Sequence, residues 1–377
     1  MSREKVRKIS IIVPLHREKK ESIETTLRSI DSLNYPKELI DVVLVYRAND
    51  LETTRGVKEI LSSNSYKIRV REYPVRRERG FKASDINEVL KIVDGEIIGF
   101  YDADNIIERD QVAKVLEMID RGFSAVSPKV YRYRPSVLGR LILLESVLWY
   151  DLWVRVLTKL RLHTPLSGEG LYVKREVLGV LGGFPEILAE DAGLSLLLAM
   201  RDLKYGYVDS YVEELAPKNI VSFIKQRIRW YRGHFQALTL LFASKASLRV
   251  ILRILLSYLL ISITIILALS PLILSFYLTT ILNERTIDPR DKILNTAGAR
   301  VAMETLSVIA LAGYSGFLGL SWVLLLKIHS KRKGLSESIK TILVSALLMP
   351  LYWILLSLIF IISLIVPVRE WFKTERR

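Results

Sequence analysis

The sequence predicts an α/β domain built on an open, mostly parallel sheet, followed by an α-helical membrane domain of three spans. Two observations carry this. From Ile9 to Tyr101, short apolar runs alternate with segments of helical period, the pattern of strand–helix–strand crossovers. Further on come three uncharged apolar runs, Ile254 to Leu282, Thr305 to Leu326 and Thr341 to Val368. Each exceeds the ~20 residues that cross a hydrocarbon core. A buried helix of a water-soluble protein is rarely that long without a charge.

Ile9 to Val13, ended by Pro14, reads as a buried strand, and a polar-faced helix follows from Glu21 to Leu33 until Asn34-Tyr35-Pro36 breaks it. Asp41 to Tyr46 is a second strand and Thr53 to Ser62 a second helix. Lys67 to Tyr73 alternates as a third strand, Ser84 to Val93 is helical, and Glu96 to Tyr101 is a fourth strand. Pro14, Asn49-Asp50 and Asp102-Ala103-Asp104 fall at strand carboxyl ends, where open sheets of this kind bind ligands. Between Ser136 and Arg161, Leu138, Leu141, Ile142, Leu144, Leu148, Trp149, Leu152 and Trp153 surround few charges, too interrupted to span and too apolar for water. We read an interfacial helix there and a second over 220–241, a core helix being the alternative for the first. The domains are thus 1–245, including both helices, and 246–377, with spans near 251–282, 305–327 and 341–367. Pro271 and Pro350 kink their helices rather than end them.

The formal net charge of +15 invites a nucleic-acid partner, but no such module is present, and the membrane supplies a better reason. Lys327, Lys331, Arg332, Lys333 and Lys340 crowd the link between the second and third runs. The link between the first two mixes both signs. Positive loops stay cytoplasmic, which puts the second link and the N-terminal domain inside and the basic tail outside. Met1 to Lys8 is charged and opens straight into a strand, so no cleavable signal is expected to precede it. Cysteine is absent and the four histidines lack ligand spacing, which excludes disulfide and zinc frameworks.

Three groups carry chemistry. Asp102 and Asp104, one small residue apart after Ile97-Ile98-Gly99-Phe100-Tyr101, suit a hard cation, Mg²⁺ or Mn²⁺, able to offset charge on a diphosphate leaving group. Glu190-Asp191 opens an apolar helix; its carboxylates could simply serve the helix N-terminus, or Asp191 could be a general base, and both can hold together. Lys82 and Asn87 open another helix, a natural place to meet phosphate or sugar oxygens. Gln226-Arg227-Ile228-Arg229-Trp230, taken alone, is what a basic helix face looks like. Its place after the carboxylates and just ahead of the apolar runs points instead to chemistry on a membrane-bound substrate.

In this order the motifs resemble those of family 2 inverting glycosyltransferases of the cellulose-synthase-like kind, which carry a GT-A nucleotide-sugar domain. The resemblance rests on Ile11-Ile12-Val13-Pro14 with Arg17-Glu18, Thr26 to Ile30, Phe81-Lys82-Ala83 through Asn87, Asp102-Ala103-Asp104 and Leu166-Ser167-Gly168-Glu169-Gly170. It continues through Glu190-Asp191, with Ala189 where the family has Thr, and Ala216-Pro217-Lys218 through Gln226-Arg227-Ile228-Arg229-Trp230-Tyr231-Arg232-Gly233. It covers about Ile9 to Leu240. It implies Asp191 as catalytic base; Pro14, Glu18, Asp50, Lys82, Asp102, Asp104, Gln226 and Arg229 at the donor; Gly168, Glu190 and Trp230 at the acceptor; and Asp102 and Asp104 on Mg²⁺ or Mn²⁺.

Two departures shape the expected substrate. Tyr46-Arg47-Ala48-Asn49-Asp50 stands where the family often has Asp-Asp-Gly-Ser, leaving Asp50 as stand-in for the base contact, and three spans are few for a polymer channel. The expected enzyme is therefore a plasma-membrane hexosyltransferase with its catalytic domain in the cytoplasm. It would move mannose from GDP-mannose to a polyprenyl- or dolichyl-linked glycan, with membrane lipids as partners. The alternatives are a processive synthase of cellulose, chitin or mannan type using a UDP-sugar, and a non-catalytic membrane subunit.

Overall fold

The computed structural model describes residues 6–63, 65–77, 80–242, 244–268 and 339–365. The chain divides into two compact units, Met1–Ser257 with Ser363–Arg377, and Tyr258–Ile362.

The first unit is built on an eight-stranded sheet in the order β3-β2-β1-β4-β7-β6-β8-β5. Its strands are β1 (Ile9–Pro14), β2 (Ile40–Arg47), β3 (Arg69–Val75), β4 (Ile97–Phe100), β5 (Ile106–Ile107), β6 (Ala125–Tyr133), β7 (Leu171–Lys174) and β8 (Tyr205–Leu215). The helices are α1 (Lys20–Asp31), α2 (Leu51–Ser63), α3 (Lys82–Val89), α4 (Gln111–Asp120), α5 (Val137–Val147), α6 (Val154–Lys159), α7 (Arg175–Leu181), α8 (Glu190–Met200) and α9 (Ile220–Phe242).

Alternation within each strand explains the continuous apolar runs. Ile9, Ile11 and Val13 pack with Ile23, Leu27 and Ile30 of α1, Val57 and Ile60 of α2 and Val112 and Val115 of α4. Ile12, Val43, Val45, Ile98 and Phe100 point the other way, into a second core with Ile86 and Val89 of α3, Val177 of α7 and Leu194 and Leu198 of α8. A strand covered on both faces has no reason to alternate polar with apolar. In α1 the buried positions Ile23, Leu27 and Ile30 fall along one helical stripe, as its sequence period requires.

The sheet is mixed rather than mostly parallel. β1–β2, β1–β4, β2–β3 and β6–β8 run parallel, but β7 enters antiparallel between β4 and β6, and β5 is antiparallel to β8. β7 and β5 are too short, at four and two residues, to leave a periodic signature. The reversal has a consequence for the site: Leu171 pairs with Phe100, so the loop feeding β7 lies at the edge where β4 delivers Asp102. β6 and β8 continue beyond β7, and after a register shift between Ser127 and Lys129 they place Arg132 opposite Glu214.

The 136–161 stretch is α5, a π-helical turn over Leu148–Trp153, and α6. Leu141, Ile142, Leu144, Leu148, Tyr150, Val154 and Leu157 are buried, so most of its apolar surface serves the unit's own core and only Val137 and Leu160 remain as exposed large hydrophobics. The expected interfacial face is correspondingly narrow.

Of the apolar runs, the first is helical as far as it is described, within α10 (Leu248–Ala268), and the third lies in α11 (Ile339–Ile365) up to residue 365, beyond which it is outside the described residues. Among the described residues one helix, over Leu347–Ile365, is long and apolar enough to cross a membrane by length and composition, with mean hydropathy 2.5. The span expected near 305–327, and the part of the first beyond residue 268, lie outside the described residues.

Candidate active site

Asp102 leaves β4 into a tight turn that α1 fixes. Its backbone N–H donates to Asn105 Oδ1 (2.9 Å), Thr26 Oγ1 donates to its carbonyl (3.0 Å), and the Asn105 N–H donates to Thr26 Oγ1 (2.9 Å). Asp104 completes the turn in the left-handed region at φ 71°, buried, with its N–H on the Ser22 carbonyl. Aspartate tolerates that conformation better than most residues.

Lys82, the first residue of α3, reaches this turn. Its Nζ donates to Asp102 Oδ1 at 2.7 Å and lies 3.3 Å from Glu190 Oε1. Burial alone would lower the ammonium's pKa, but Asp102 and Glu190 outweigh it and hold Lys82 above its ordinary value, so it is a permanent cation. Asn87 has a different use. Its amide donates to the Phe184 carbonyl and accepts from the Phe184 N–H (2.9 and 2.8 Å), carrying the Gly182-Gly183-Phe184-Pro185 turn that leads to α8.

Asp191, in the first turn of α8, is aimed by two backbone donors: Ala192 N–H to Oδ1 and Gly168 N–H to Oδ2, both 2.8 Å. A Cβ at residue 168 would lie 3.3 Å from Oδ2, so glycine lets the loop approach this closely. Burial first, then the negative charges of Glu190 and Glu169, push the Asp191 carboxyl up to about 7, with the Ala192 N–H and Lys82 pulling the other way. A carboxylate tuned near neutral pH is what general-base chemistry asks for.

The loop that supplies Gly168 is tied at every residue. Leu166 N–H donates to Ser195 Oγ (2.9 Å), the Ser167 carbonyl accepts from Ser127 Oγ (2.9 Å), and the Ser167 hydroxyl meets that of Tyr150 (2.5 Å). Gly170 N–H donates to the Phe100 carbonyl (2.7 Å). Glu169 accepts from Arg132 Nη2 (2.8 Å), whose Nε pairs with the buried Glu214. The oxygens of Asp102, Glu169 and Glu214 lie within 4.8 Å of one another. An all-oxygen set of this kind has the chemistry of a hard divalent cation, and Asp102 suits Mg²⁺ or Mn²⁺ in that sense, while Lys82 and Arg132 already pair with its three carboxylates.

Helix α9 closes the site from behind. The Arg132 and Arg227 guanidinium carbons sit 4.8 and 4.4 Å from the Trp230 ring centroid, and Arg227 pairs with Glu145. Gln226 is fully buried, and neither its Oε1 nor its Nε2 meets a hydrogen-bond partner among the described residues. One further contact fixes the segment ahead of Asp191: a Cβ at Gly233 would lie 2.5 Å from Ala189 Cβ and 2.7 Å from its backbone nitrogen, and Gln236 accepts the Leu188 N–H. The segment that ends in Glu190-Asp191 thus lies directly on α9. Gly233→Ala is expected to push it away, lowering transfer about 100-fold with a loss of stability of about 1–3 kcal/mol. Wild-type turnover by that variant would show that the contact does not set the base.

The structure therefore brings Lys82, Asp102, Glu190, Asp191 and Gly168 together, with Gln226 and Trp230 on the adjoining helix. Asp50 has local partners: its carboxylate accepts from the Arg17 N–H and from Thr53 Oγ1 and N–H, at the start of α2. Glu18 donates its N–H to Thr53 Oγ1, and Pro14 ends β1, buried. Arg229 lies one residue before Trp230 on α9. Sequence reasoning does not single out Arg132, Glu214 or Asn105. The one available signal is a charge within the strand-like Val130-Tyr131-Arg132-Tyr133 and another in Val212-Glu213-Glu214-Leu215.

Two family models match the chain, "Glycosyl transferase family 2" over residues 10–165 and "Glycosyl transferase family group 2" over 97–284. Similar proteins include the probable glycosyltransferase YdaM of Bacillus subtilis, 25% identical over 60% of this chain and 55% of that one. The cellulose synthase catalytic subunit [UDP-forming] of Pseudomonas fluorescens is 27% identical over 60% and 31%. The beta-monoglucosyldiacylglycerol synthase of a Synechocystis species is 26% identical over 56% and 44%. The chain thus spans from a third to just over half the length of these relatives. Among solved structures, a mannosyltransferase of Pyrobaculum calidifontis in complex with GDP-Man and Mn²⁺ superposes with a TM-score of 0.60 at 20% identity, covering 96% of this chain and 86% of that one, which shows a shared fold.

Proposed function

The chain belongs to glycosyl transferase family 2, and from that premise we propose that it is an inverting, metal-dependent hexosyltransferase acting on a lipid-linked glycan at the membrane. The observation that carries the reading is Asp191, held by two backbone N–H groups and poised near neutral pH by burial and by Glu190 and Glu169. Its carboxylate takes the proton of an acceptor hydroxyl as that oxygen attacks the anomeric carbon. The new C–O bond forms on the face opposite the breaking bond to the nucleoside diphosphate, so configuration inverts. Asp102 and Asp104 would hold Mg²⁺ or Mn²⁺, which when bound offsets charge on the departing diphosphate. Lys82 adds fixed positive charge beside Asp102, Arg229 is the further cation that the family resemblance assigns to the donor, and the orphaned Gln226 amide is free to meet the substrate.

We assign mannose from GDP-mannose as donor. Arg47-Ala48-Asn49-Asp50 replaces the family's usual base-contact residues, and the similar fold of a GDP-Man-binding mannosyltransferase supports the same choice. For the acceptor, the leucines exposed along α10 (Leu248, Leu252, Leu255, Leu256) and the apolar Leu347–Ile365 segment favour a polyprenyl- or dolichyl-linked substrate, with the catalytic unit on the cytoplasmic side of the plasma membrane. The competing reading is a processive UDP-sugar polymerase, which the cellulose synthase relative favours. Purified protein, Mn²⁺ and a panel of nucleotide sugars decide between them by nucleotide released and product length. GDP-mannose turnover with short extraction-soluble product is expected. UDP-glucose turnover with long insoluble product would overturn the assignment.

A further inference from the structure

The cluster of Asp102, Glu169 and Glu214 holds three carboxylates, one of them an expected metal ligand, and two cations are already built into it. Lys82 holds the Asp102 end. Arg132 holds the other: Nη2 is 2.8 Å from Glu169, Nε pairs with Glu214, and the guanidinium lies 4.8 Å from the Trp230 ring centroid. Glu214 is fully buried as a side chain, and Arg132 and Glu169 are about nine-tenths buried. The strand register sets Arg132 directly opposite Glu214, so this placement is fixed by the sheet and not by a flexible loop.

We propose that Arg132 is a resident cation that closes the Glu169–Glu214 end of the cluster to divalent metal, confining the ion to the more exposed Asp102 edge and locking the acceptor loop, β8 and Trp230 to one point. The chemistry follows from the residue type. A guanidinium does not deprotonate in proteins and offers a rigid fork of donors, so two carboxylates paired with it are withheld as ligands. A metal entering among all three carboxylates would sit against a like charge that cannot move out of its strand. Arg132 is thus a positioning residue, acting through Glu169, Glu214 and Trp230 and not on the reacting atoms.

The inference rests on the metal-dependent reading, and one set of measurements separates the two. Mn²⁺ alone is titrated into the full-length protein and free Mn²⁺ is followed by electron paramagnetic resonance. Binding by the wild type that Asp102→Asn abolishes tests the metal reading; Arg132→Gln tests the inference. Arg132→Gln is expected to gain a second Mn²⁺ site, which Glu214→Gln added to it removes. An unchanged stoichiometry in folded Arg132→Gln overturns the proposal whether or not the wild type binds. Because loss of Arg132 strands two carboxylates and can prevent folding, Glu169→Gln and Glu214→Gln in the wild-type background provide an independent test. If Arg132 withholds these carboxylates, neither substitution lowers Mn²⁺ affinity by more than the roughly 10–100-fold that an outer-shell neighbour costs. A loss beyond about 100-fold in either would make that glutamate a metal ligand and refute the assignment.

Discussion

Replacement of Asp191 by Asn is expected to abolish nearly all sugar transfer, a loss of about 10²–10⁴-fold, while donor binding persists. The amide cannot accept the acceptor's proton, whereas Asp102, Lys82 and the Gln226–Trp230 segment are untouched. The alternative is that Asp191 only serves the N-terminus of α8, and the geometry gives that role some substance: Asp191 accepts the Ala192 N–H in the first turn, and the N-cap residue Ala189 has no side chain to do so. That role predicts little loss of turnover. Near-normal transfer by the variant would leave Asp191 as a helix-terminus residue and move the search for the base to Glu190.

The pH dependence of the same variant is a second, independent reading. A base works ionised, so wild-type turnover should rise as pH climbs through about 7 and level off above it. For stability the sign is opposite. The folded-state value lies above the ordinary carboxylate value of about 4, so Asp191's contribution is fully present below that value and lost as pH rises through the folded one. An asparagine amide does not titrate. The stability of Asp191→Asn relative to wild type should therefore improve steadily between about pH 4 and pH 8, even though it loses one of the two backbone hydrogen bonds, a cost of about 1–3 kcal/mol. Melting temperatures across that range check it; a constant difference would mean that Asp191 is not ionised at a cost in the folded protein.

The parts of this arrangement visible in the sequence are those written in local pattern. Ile9–Pro14, Ile40–Arg47 and Ile97–Phe100 are apolar runs ended by turn residues, so β1, β2 and β4 and the carboxyl-end position of Asp102 could be read directly. The Gln226–Trp230 motif falls on a helix with buried positions four residues apart at Phe223 and Arg227 and again at Gly233, Ala237 and Leu241. What could not be read is pairing at a distance. Lys82 meets Asp102 and Glu190 because α3 and α8 both begin at the edge where β4 ends. Arg132 meets Glu214 because β6 and β8 are neighbours in register although far apart in sequence. A strand as short as β7 sets the direction of the Gly168 loop without leaving a period to detect. Asp50 shows the converse: its position after β2 suggests a ligand contact, while its local chemistry, an Asp ahead of a helix with Thr53 following, is equally that of a cap.

Lys82→Met is expected to produce a large loss of stability. Methionine keeps most of the side-chain volume and flexibility, so the change isolates the charge. Asp102 and Glu190 both lie within reach of Lys82 Nζ, at 2.7 and 3.3 Å, and without it both are left in a poorly solvated cleft without this counter-charge. Breaking a buried pair by removing one partner costs about 3–5 kcal/mol. The effect should extend to the base. Lys82 is among the groups that hold the Asp191 carboxyl down against burial and the charges of Glu190 and Glu169, so its loss raises that carboxyl further. The rising limb of the pH–rate profile should then move to higher pH, whereas losing a positive charge from the donor side alone would leave the limb in place. Adding Glu190→Gln to Lys82→Met removes one of the stranded carboxylates and one source of repulsion on Asp191. The double variant should recover part of the stability and shift the limb back, a coupling that independent sites would not show. Denaturant midpoints and pH–rate profiles of the four chains measure it. Strictly additive effects would mean that Lys82 and Glu190 do not act on each other, and that the cation serves Asp102 alone.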